Sequence, residues 1–451
     1  MNKLKRGCNF LSPHDKNLST PSLIFTTKKG GVMSKEKSYI TIPEELISKA
    51  LYKVYLTDTH TEIIKDFLYK LYLGKLNDEN IFVQKVLGIK NNFDPALTLP
   101  NINFNEKNGM YSFTDFYTFF SVKYKDESYE LNFQTAFQFE FNCEDIFRKT
   151  FLFTGGTSKK AYRSEELTKA IISSAIANCS IHNKVVRFDR EAYKGEMVRA
   201  VEFVNTPPTK TSDLFISADK KDQIIRFINS ITDFDKNKIS LRYLFNGKPG
   251  TGKTQIINSI ITETCGKCTV VLCNGGSLPV KKLFEFCSYF NPCLLVIDDL
   301  DFLANDRENN IHQTELGDFL QALDGLLPNF VFLLSATNDK GLVDKAASRP
   351  GRFDMILDIA EIEPKNYLSL VKRETCDERI ISLFDEDTLL YLKDRRVTGA
   401  FIVSLLKQIK SSIMLNGEIS CEEFSEYLNL CYRGFYSIND DNFNNVVGFG
   451  T

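Results

Sequence analysis

The sequence has no excess of charge of either sign: 56 Lys and Arg face 58 Asp and Glu, a formal net charge of -2. That balance supplies no global electrostatic case for a nucleic-acid or acidic-membrane partner. Long apolar runs are missing as well. The longest, such as 293–297, fall far short of the roughly 18–20 residues that span a bilayer, so no membrane span is expected. A basic start (Lys3, Lys5, Arg6) is not followed by an apolar stretch, which argues against a secretory signal. Histidine occurs only four times, and no His-Glu-x-x-His motif is present, which excludes a zinc peptidase of that type within these residues. The eleven cysteines are odd in number and lack framework spacing, as expected of reduced thiols in a cytoplasmic protein. Cys265-Gly266-Lys267-Cys268 has no second pair and no nearby histidine, so it reads as a helix-to-strand turn rather than a metal or redox site.

What is present is an ordinary globular balance, 43% hydrophobic and 25% charged, over 451 residues, enough for two or three domains. Residues 1–37 are basic, weakly periodic and interrupted by Pro13, Pro21, Gly30 and Gly31, the pattern of a flexible arm. Residues 38–205 predict an α+β domain. A helical pattern over 43–87 rests on Leu46, Ala50, Leu51 and Val54. Tyr129, Leu131, Phe133, Thr135, Phe137, Phe139 and Phe141 alternate with polar residues as in a half-buried strand, preceded by a hairpin turn at 125–128. Ser164 is a candidate cap for a helix carrying Leu167, Ile171 and Ile176, and 185–188 suggests another strand. Residues 206–212 contain Thr206-Pro207-Pro208-Thr209 and read as a linker.

From 213 to 360 the texture changes. An amphipathic helix marked by Ile224, Phe227, Ile228 and Ile231 precedes five short apolar runs at 241–245, 269–273, 293–297, 330–335 and 355–359. Apolar runs separated by helical stretches signify a parallel sheet with helices on both faces. Residues 361–432 are helical throughout, and 433–451 form an Asn- and Gly-rich tail.

Gly247-Lys248-Pro249-Gly250-Thr251-Gly252-Lys253-Thr254 follows the first of these runs and opens a helical stretch, the context a phosphate-binding loop requires. Glycines let backbone N–H groups close around phosphate oxygens at a helix N-terminus. Lys253 is placed to reach β- and γ-phosphates, and the Thr254 hydroxyl to ligate Mg²⁺. The run at 293–297 ends in Asp298-Asp299. The first carboxylate suits the Mg²⁺ shell, the second suits activation of an attacking water, and Asp301 reads as a supporting residue. The run at 330–335 ends near Asn338, a polar group that can lie between the acidic strand end and a γ-phosphate. Arg349-Pro350-Gly351-Arg352 puts two guanidiniums on an exposed turn, which invites an arginine-finger role.

Taken in order, these segments over roughly 210–432 resemble the AAA family of ATPases. The resemblance rests on the phosphate loop, Asp298-Asp299, Asn338, Asp344 with Arg349-Pro350-Gly351-Arg352-Phe353-Asp354, and the turn Thr398-Gly399-Ala400. It implies an α/β P-loop module with a C-terminal helical lid, ATP and Mg²⁺ as ligands, and a homo-oligomeric ring, a hexamer or heptamer. It further implies that Gly399 and Ala400 meet the adenine, and that Arg349 and Arg352 act on a neighbouring subunit's nucleotide. Two departures stand out. The usual Asp-Glu pair is Asp-Asp here, and the segment 274–280 lacks the aromatic–hydrophobic–glycine pore triplet of protein-threading members. Both features are similar to the branch of the mitochondrial Rieske-protein translocase and its soluble relatives. The expected function is ATP-driven remodelling or translocation of a protein client selected by the amino-terminal domain. The alternatives are an ATP-gated scaffold or switch in a defence or assembly complex and, with less support, a nucleic-acid-directed motor or loader.

Overall fold

Alternation and contiguity of apolar residues divide the chain into two kinds of sheet. A computed structural model describes residues 27–29, 32–34, 52–89, 98–115, 117–139, 146–156, 162–274, 278–303, 312–324, 331–339, 341 and 349–436. The chain separates into a first unit, residues 1–104 with 110–178, and a second, residues 105–109 with 179–451. Most of the 1–37 arm, the apolar residues Leu46, Ala50 and Leu51, and the tail beyond Tyr436 lie outside the described residues.

In the first unit, β1 (Thr27–Lys29) and β2 (Val32–Ser34) pair antiparallel. The main sheet follows from β3 (Tyr52–Leu56), β4 (Ile81–Ile89), β7 (Tyr117–Tyr124), β8 (Glu127–Phe139) and β9 (Ile146–Gly156), in the order β3-β9-β8-β7-β4. The short strands β5 (Ile102–Asn105) and β6 (Met110–Phe113) form a separate ladder. Alternation in β8 buries Tyr129, Leu131 and Phe133. The turn into β8 is tighter than expected: only Lys125 and Asp126 turn, with φ of 46° and 66°, as a two-residue hairpin loop demands.

Helices α1 (Asp58–Tyr72) and α2 (Tyr162–Ala177) pack together and against the sheet. The helical pattern expected over 43–87 is corrected in part: among the described residues 52–87 helix occupies only α1, Val54 lies in β3, and 81–89 is strand. Short apolar runs satisfy either period, and pairing of β4 with β7 decides between them. Ser164 is not the cap of α2, which begins two residues earlier; its buried carbonyl accepts from Thr168 Oγ1 at 2.8 Å within the helix.

The second unit contains a seven-stranded sheet, order β11-β10-β13-β14-β15-β12-β16. Its strands are β10 (Val185–Phe188), β11 (Val201–Phe203), β12 (Arg242–Asn246), β13 (Thr269–Asn274), β14 (Cys293–Asp298), β15 (Val331–Thr337) and β16 (Met355–Asp358). All neighbours are parallel except β10 and β11. The boundary expected at 205 is therefore displaced. β10 pairs parallel with β13, so 179–205 belong with the residues that follow. Cys265 to Cys268 form the turn between α5 (Lys253–Thr264) and β13, as read from the sequence.

Helix α3 (Ala218–Thr232) buries Ile224, Phe227, Ile228 and Ile231 beside Ile256, Ile257, Ile260 and Ile261 of α5, in one core with Tyr243, Phe245 and Phe332 of the sheet. Each such side chain contributes about 1.5–3 kcal/mol on burial. The short helix α4 (Phe234–Asn237) follows α3, and α6 (Val280–Cys287) and α7 (His312–Leu323) pack together.

Beyond β16 come five helices: α8 (Tyr367–Glu374), α9 (Glu378–Ser382), α10 (Glu386–Asp394), α11 (Gly399–Asn416) and α12 (Cys421–Tyr436). They enclose a separate core around Phe401, Leu405 and Ile409. Side chains of Asp377, Asp385 and Thr398 cap three of them, each accepting from a first-turn N–H. Among the described residues, no helix is long and apolar enough to cross a membrane.

Candidate functional site

The carboxyl ends of β14, β15 and β12 lie side by side, with Ile297 opposite Ser335 and Asn246 opposite Thr337. Crevices at this edge are where parallel sheets bind ligands. From Asn246 the chain enters the Gly-rich loop, where Gly250 and Gly252 take φ of 79° and 96°, a region that favours glycine. A Cβ on Gly250 would lie 3.0 Å from Thr398 Oγ1, and one on Gly247 would lie 2.3 Å from the Ile359 carbonyl oxygen. The loop thus passes too close to the lid and to the end of β16 to carry side chains there. It delivers its N–H groups to the N-terminus of α5, which begins at Lys253.

Lys253 is buried, 7% exposed. Its ammonium donates to the carbonyls of Gly247 (2.6 Å) and Lys248 (3.0 Å) and to Asn338 Oδ1 (2.7 Å). Burial lowers its pKa, while Asp298, Asp299 and Asp301 oppose that shift. Thr254 Oγ1 donates to Asp298 Oδ2 at 3.1 Å, and Asp298 Oδ1 accepts from the Asp299 N–H at 3.1 Å. Asp299 itself has φ of 52°, an uncommon conformation for a non-glycine residue that turns it out of the strand direction. Burial raises its pKa first, the neighbouring Asp298 and Asp301 add to this, and Lys253 and Asn338 counteract it. Asp301 supports Asn338 from behind: its Oδ1 accepts from Thr337 Oγ1 (3.2 Å) and from the Asn338 N–H (3.3 Å).

Lys253, Thr254, Asp298, Asp299 and Asn338 line a cleft of about 630 Å³. Pro249, Thr251, Gly399 and Ala400 also line it. Gly399 and Ala400 open α11, and the Ala400 N–H donates to the Gly250 carbonyl at 3.4 Å. Lys248 points elsewhere, pairing with Glu361 at 2.8 Å on the surface. The remaining wall escaped the sequence reading: Phe215, Ile216, Ile362, Leu370, Lys407 and Phe435. Val403 and Lys407 stand four and eight residues after Gly399, so helical spacing could have found them on the same face of α11. Nothing local marks Phe215, over whose ring the Arg373 guanidinium stacks at 5.0 Å.

Arg349 and Arg352 are not in this cleft. Both converge on Asp324 at the end of α7. Arg352 Nε meets Asp324 Oδ1 at 2.8 Å and its second contact reaches Oδ2 at 3.0 Å, while Arg349 meets Oδ2 at 2.8 Å. Arg352 is 8% exposed in its side chain and Arg349 is 68% exposed. The two guanidiniums hold the Asp324 carboxyl down, to about 2. Asp344 lies outside the described residues.

A ring of loop N–H groups, a buried ammonium, a hydroxyl–carboxylate pair and an apolar far wall fit a nucleoside triphosphate with its Mg²⁺. Among the described residues no cluster of three or more His, Cys, Asp or Glu side chains could hold a metal alone. A divalent ion beside Thr254 and Asp298 would complete its shell with phosphate oxygens and water. Residues 243–361 match the model of the family described as ATPase family associated with various cellular activities (AAA). The chain carries an AAA ATPase domain. The chain is 28% identical over 258 residues to ATP-dependent zinc metalloprotease FtsH 2 of Thermoanaerobacter, covering 51% of this chain and 49% of the relative. It is 30% identical over 202 residues to a proteasome-activating nucleotidase of Methanococcus vannielii, 41% of this chain and 49% of the relative. An FtsH zinc metalloprotease of Burkholderia pseudomallei is 34% identical over 149 residues, 29% of this chain and 22% of the relative. The chain spans about half or less of the length of these curated relatives.

Proposed function

We propose that the protein binds MgATP in the cleft between the phosphate loop and α11, hydrolyses it, and spends that cycle on remodelling or moving a protein client. The observation that carries this is the contact of Lys253 with Asn338 beside the Thr254–Asp298 pair, which joins three strand ends on one reacting centre. Lys253 exchanges its loop carbonyls for phosphate oxygens. Thr254 and Asp298 are the residues to hold Mg²⁺, which supplies neutralisation of phosphate charge. Asp299 accepts the proton of the attacking water, and its raised pKa makes it a stronger base than an ordinary aspartate. Asn338, held by Asp301, orients that water or the γ-phosphate.

The family supports a homo-oligomeric ring, a hexamer or heptamer, with the arginine finger supplied between subunits. In that role we place the exposed Arg349 ahead of the buried Arg352, whose bidentate grip on Asp324 sets the shape of the turn. The proteasome-activating nucleotidase and the FtsH proteases, by name, work alongside proteolysis, which favours a protein client over nucleic acid. The first unit is the candidate client-selecting part. Placement in the Rieske-protein translocase branch rests on Asp299 in the acidic pair and on the short segment 274–280.

The test is Asp299→Asn purified from the native host with ATP and Mg²⁺, with Lys253→Ala as control. Proteins enriched only in the Asp299 variant support remodelling and name the client. Nucleic acid alone in the trap overturns that reading, and an empty assembly favours the ATP-gated scaffold.

A further inference from the structure

The peptide that joins Val397 to Thr398 is gripped from both sides by tyrosines far apart in sequence. Tyr367 of α8, 1% exposed, donates its hydroxyl to the Val397 carbonyl at 3.3 Å. The Thr398 N–H donates to the hydroxyl of Tyr436, the last residue of α12, at 3.0 Å. One peptide unit thus has its acceptor and its donor both satisfied by phenols. The ring of Tyr436 is fixed in turn: it lies 4.8 Å from Tyr432 and 6.0 Å from the fully buried Phe401.

Thr398 is where the lid touches the phosphate loop. It caps α11, accepting from the Phe401 N–H at 3.3 Å, and its Oγ1 sits 3.0 Å from the place a Gly250 Cβ would occupy. The next residues, Gly399 and Ala400, line the cleft, as does Phe435, whose ring meets Phe401 edge-on at 5.8 Å. The end of α12 therefore both holds the start of α11 and lends a side chain to the cleft lining.

Building on the nucleotide reading, we propose that Tyr436, with Tyr367, is a positioning residue for the base side of the nucleotide, and that Phe435 is part of the wall the base packs on. The phenols do not touch the reacting atoms. They fix the height at which Gly399 and Ala400 meet a purine-sized ring, while the triphosphate is held independently by Lys253 and the loop amides.

That separation is testable on the full chain by comparing MgATP with magnesium tripolyphosphate, which has the phosphates and no base. Tyr436→Phe removes one hydroxyl and keeps the ring; Phe435→Ala removes the wall. One net hydrogen bond corresponds to roughly three- to tenfold in affinity. We expect the MgATP Kd and KM of Tyr436→Phe to rise by that factor, with the effect falling on KM rather than kcat and with tripolyphosphate affinity changed less than twofold. Phe435→Ala is expected to show the same selectivity. Equal weakening of both ligands, or a MgATP Kd within twofold of wild type in both variants, overturns the clasp while leaving the nucleotide site standing. Wild-type protein that binds no MgATP overturns the nucleotide reading and the clasp with it.

Discussion

In the five-stranded sheet every neighbour is antiparallel, and strands turn back on themselves at points such as Lys125-Asp126. In the seven-stranded sheet six strands run parallel, and each must leave the sheet and return by a crossover. Where β7 meets β8, the antiparallel arrangement uses up both strand ends in a tight turn. The parallel one sends three carboxyl ends, those of β14, β15 and β12, to a single edge, where a helix N-terminus arrives as well. Burial follows the same division. β8 buries Tyr129, Leu131 and Phe133 and leaves Glu130 and Asn132 partly exposed, whereas β14 is buried at every position from Cys293 to Ile297. Charge can enter a strand of the second kind only where it ends, and Asp298 and Asp299 stand at that point.

The sharpest way to break this comparison is to damage one sheet's chemistry and look for effects in the other. Lys253→Ala is expected to weaken MgATP binding by about a thousandfold or more, because it removes a buried, charge-bearing donor, with the far-UV circular dichroism unchanged. Isothermal titration checks it, and retained affinity would remove the loop from the site.

Asp299→Asn is expected to lower kcat by roughly 10²–10³ while MgATP affinity stays. The sign of its pH dependence follows from the direction of the shift. A base works when deprotonated, and burial raises this carboxyl's pKa, so activity is lost on acidification at a higher pH than an ordinary aspartate at 3.8 would give. A wild-type pH–rate profile with its acid limb at or below that value contradicts the assignment.

Phe133→Leu in the antiparallel sheet should cost about 1–3 kcal/mol of stability by denaturant unfolding and leave the MgATP Kd unchanged. A changed Kd would show that the two sheets do not separate structure from chemistry as described. The smallest effect is expected from Lys248→Ala. Its exposed pair with Glu361 contributes about 0–1 kcal/mol, so stability and nucleotide affinity should move little although Lys248 sits inside the loop motif.

How much of this was legible in the sequence tracks the same contrast. The strands from β12 to β16 were readable to within a residue or two, because contiguous apolar runs bounded by polar turns have few other uses. Within 43–87 the helical expectation holds over Asp58–Tyr72 and fails at Val54 and at 81–87, where short apolar runs fit either period and pairing of β4 across to β7 resolves the second. Residues 185–203 were assigned to the wrong unit for a related reason. A strand's local pattern carries its face but not its partner, and β10 finds β13 more than 80 residues away. Within the cleft lining, Pro249 to Thr254, Asp298, Asp299 and Asn338 could be named from motif and order. Asp324 could not, since nothing local announces that two arginines will converge on one carboxylate. The apolar wall from Phe215 to Phe435 was equally silent, being assembled from loop residues at 215, 216 and 362 and from helices whose own patterns speak only of core.

The allegiance of β10 and β11 has a practical side. A fragment cut at residue 206, where the prolines suggest a boundary, would strip both strands and leave the β13 backbone without its neighbour. A long apolar strand with an unsatisfied row of N–H and C=O groups is a template for intermolecular pairing. Such a fragment would precipitate for reasons unrelated to nucleotide chemistry. One beginning at 179 would keep β10 and β11 but lose residues 105–109, where the Lys107 carbonyl accepts from the Phe203 N–H at 2.8 Å.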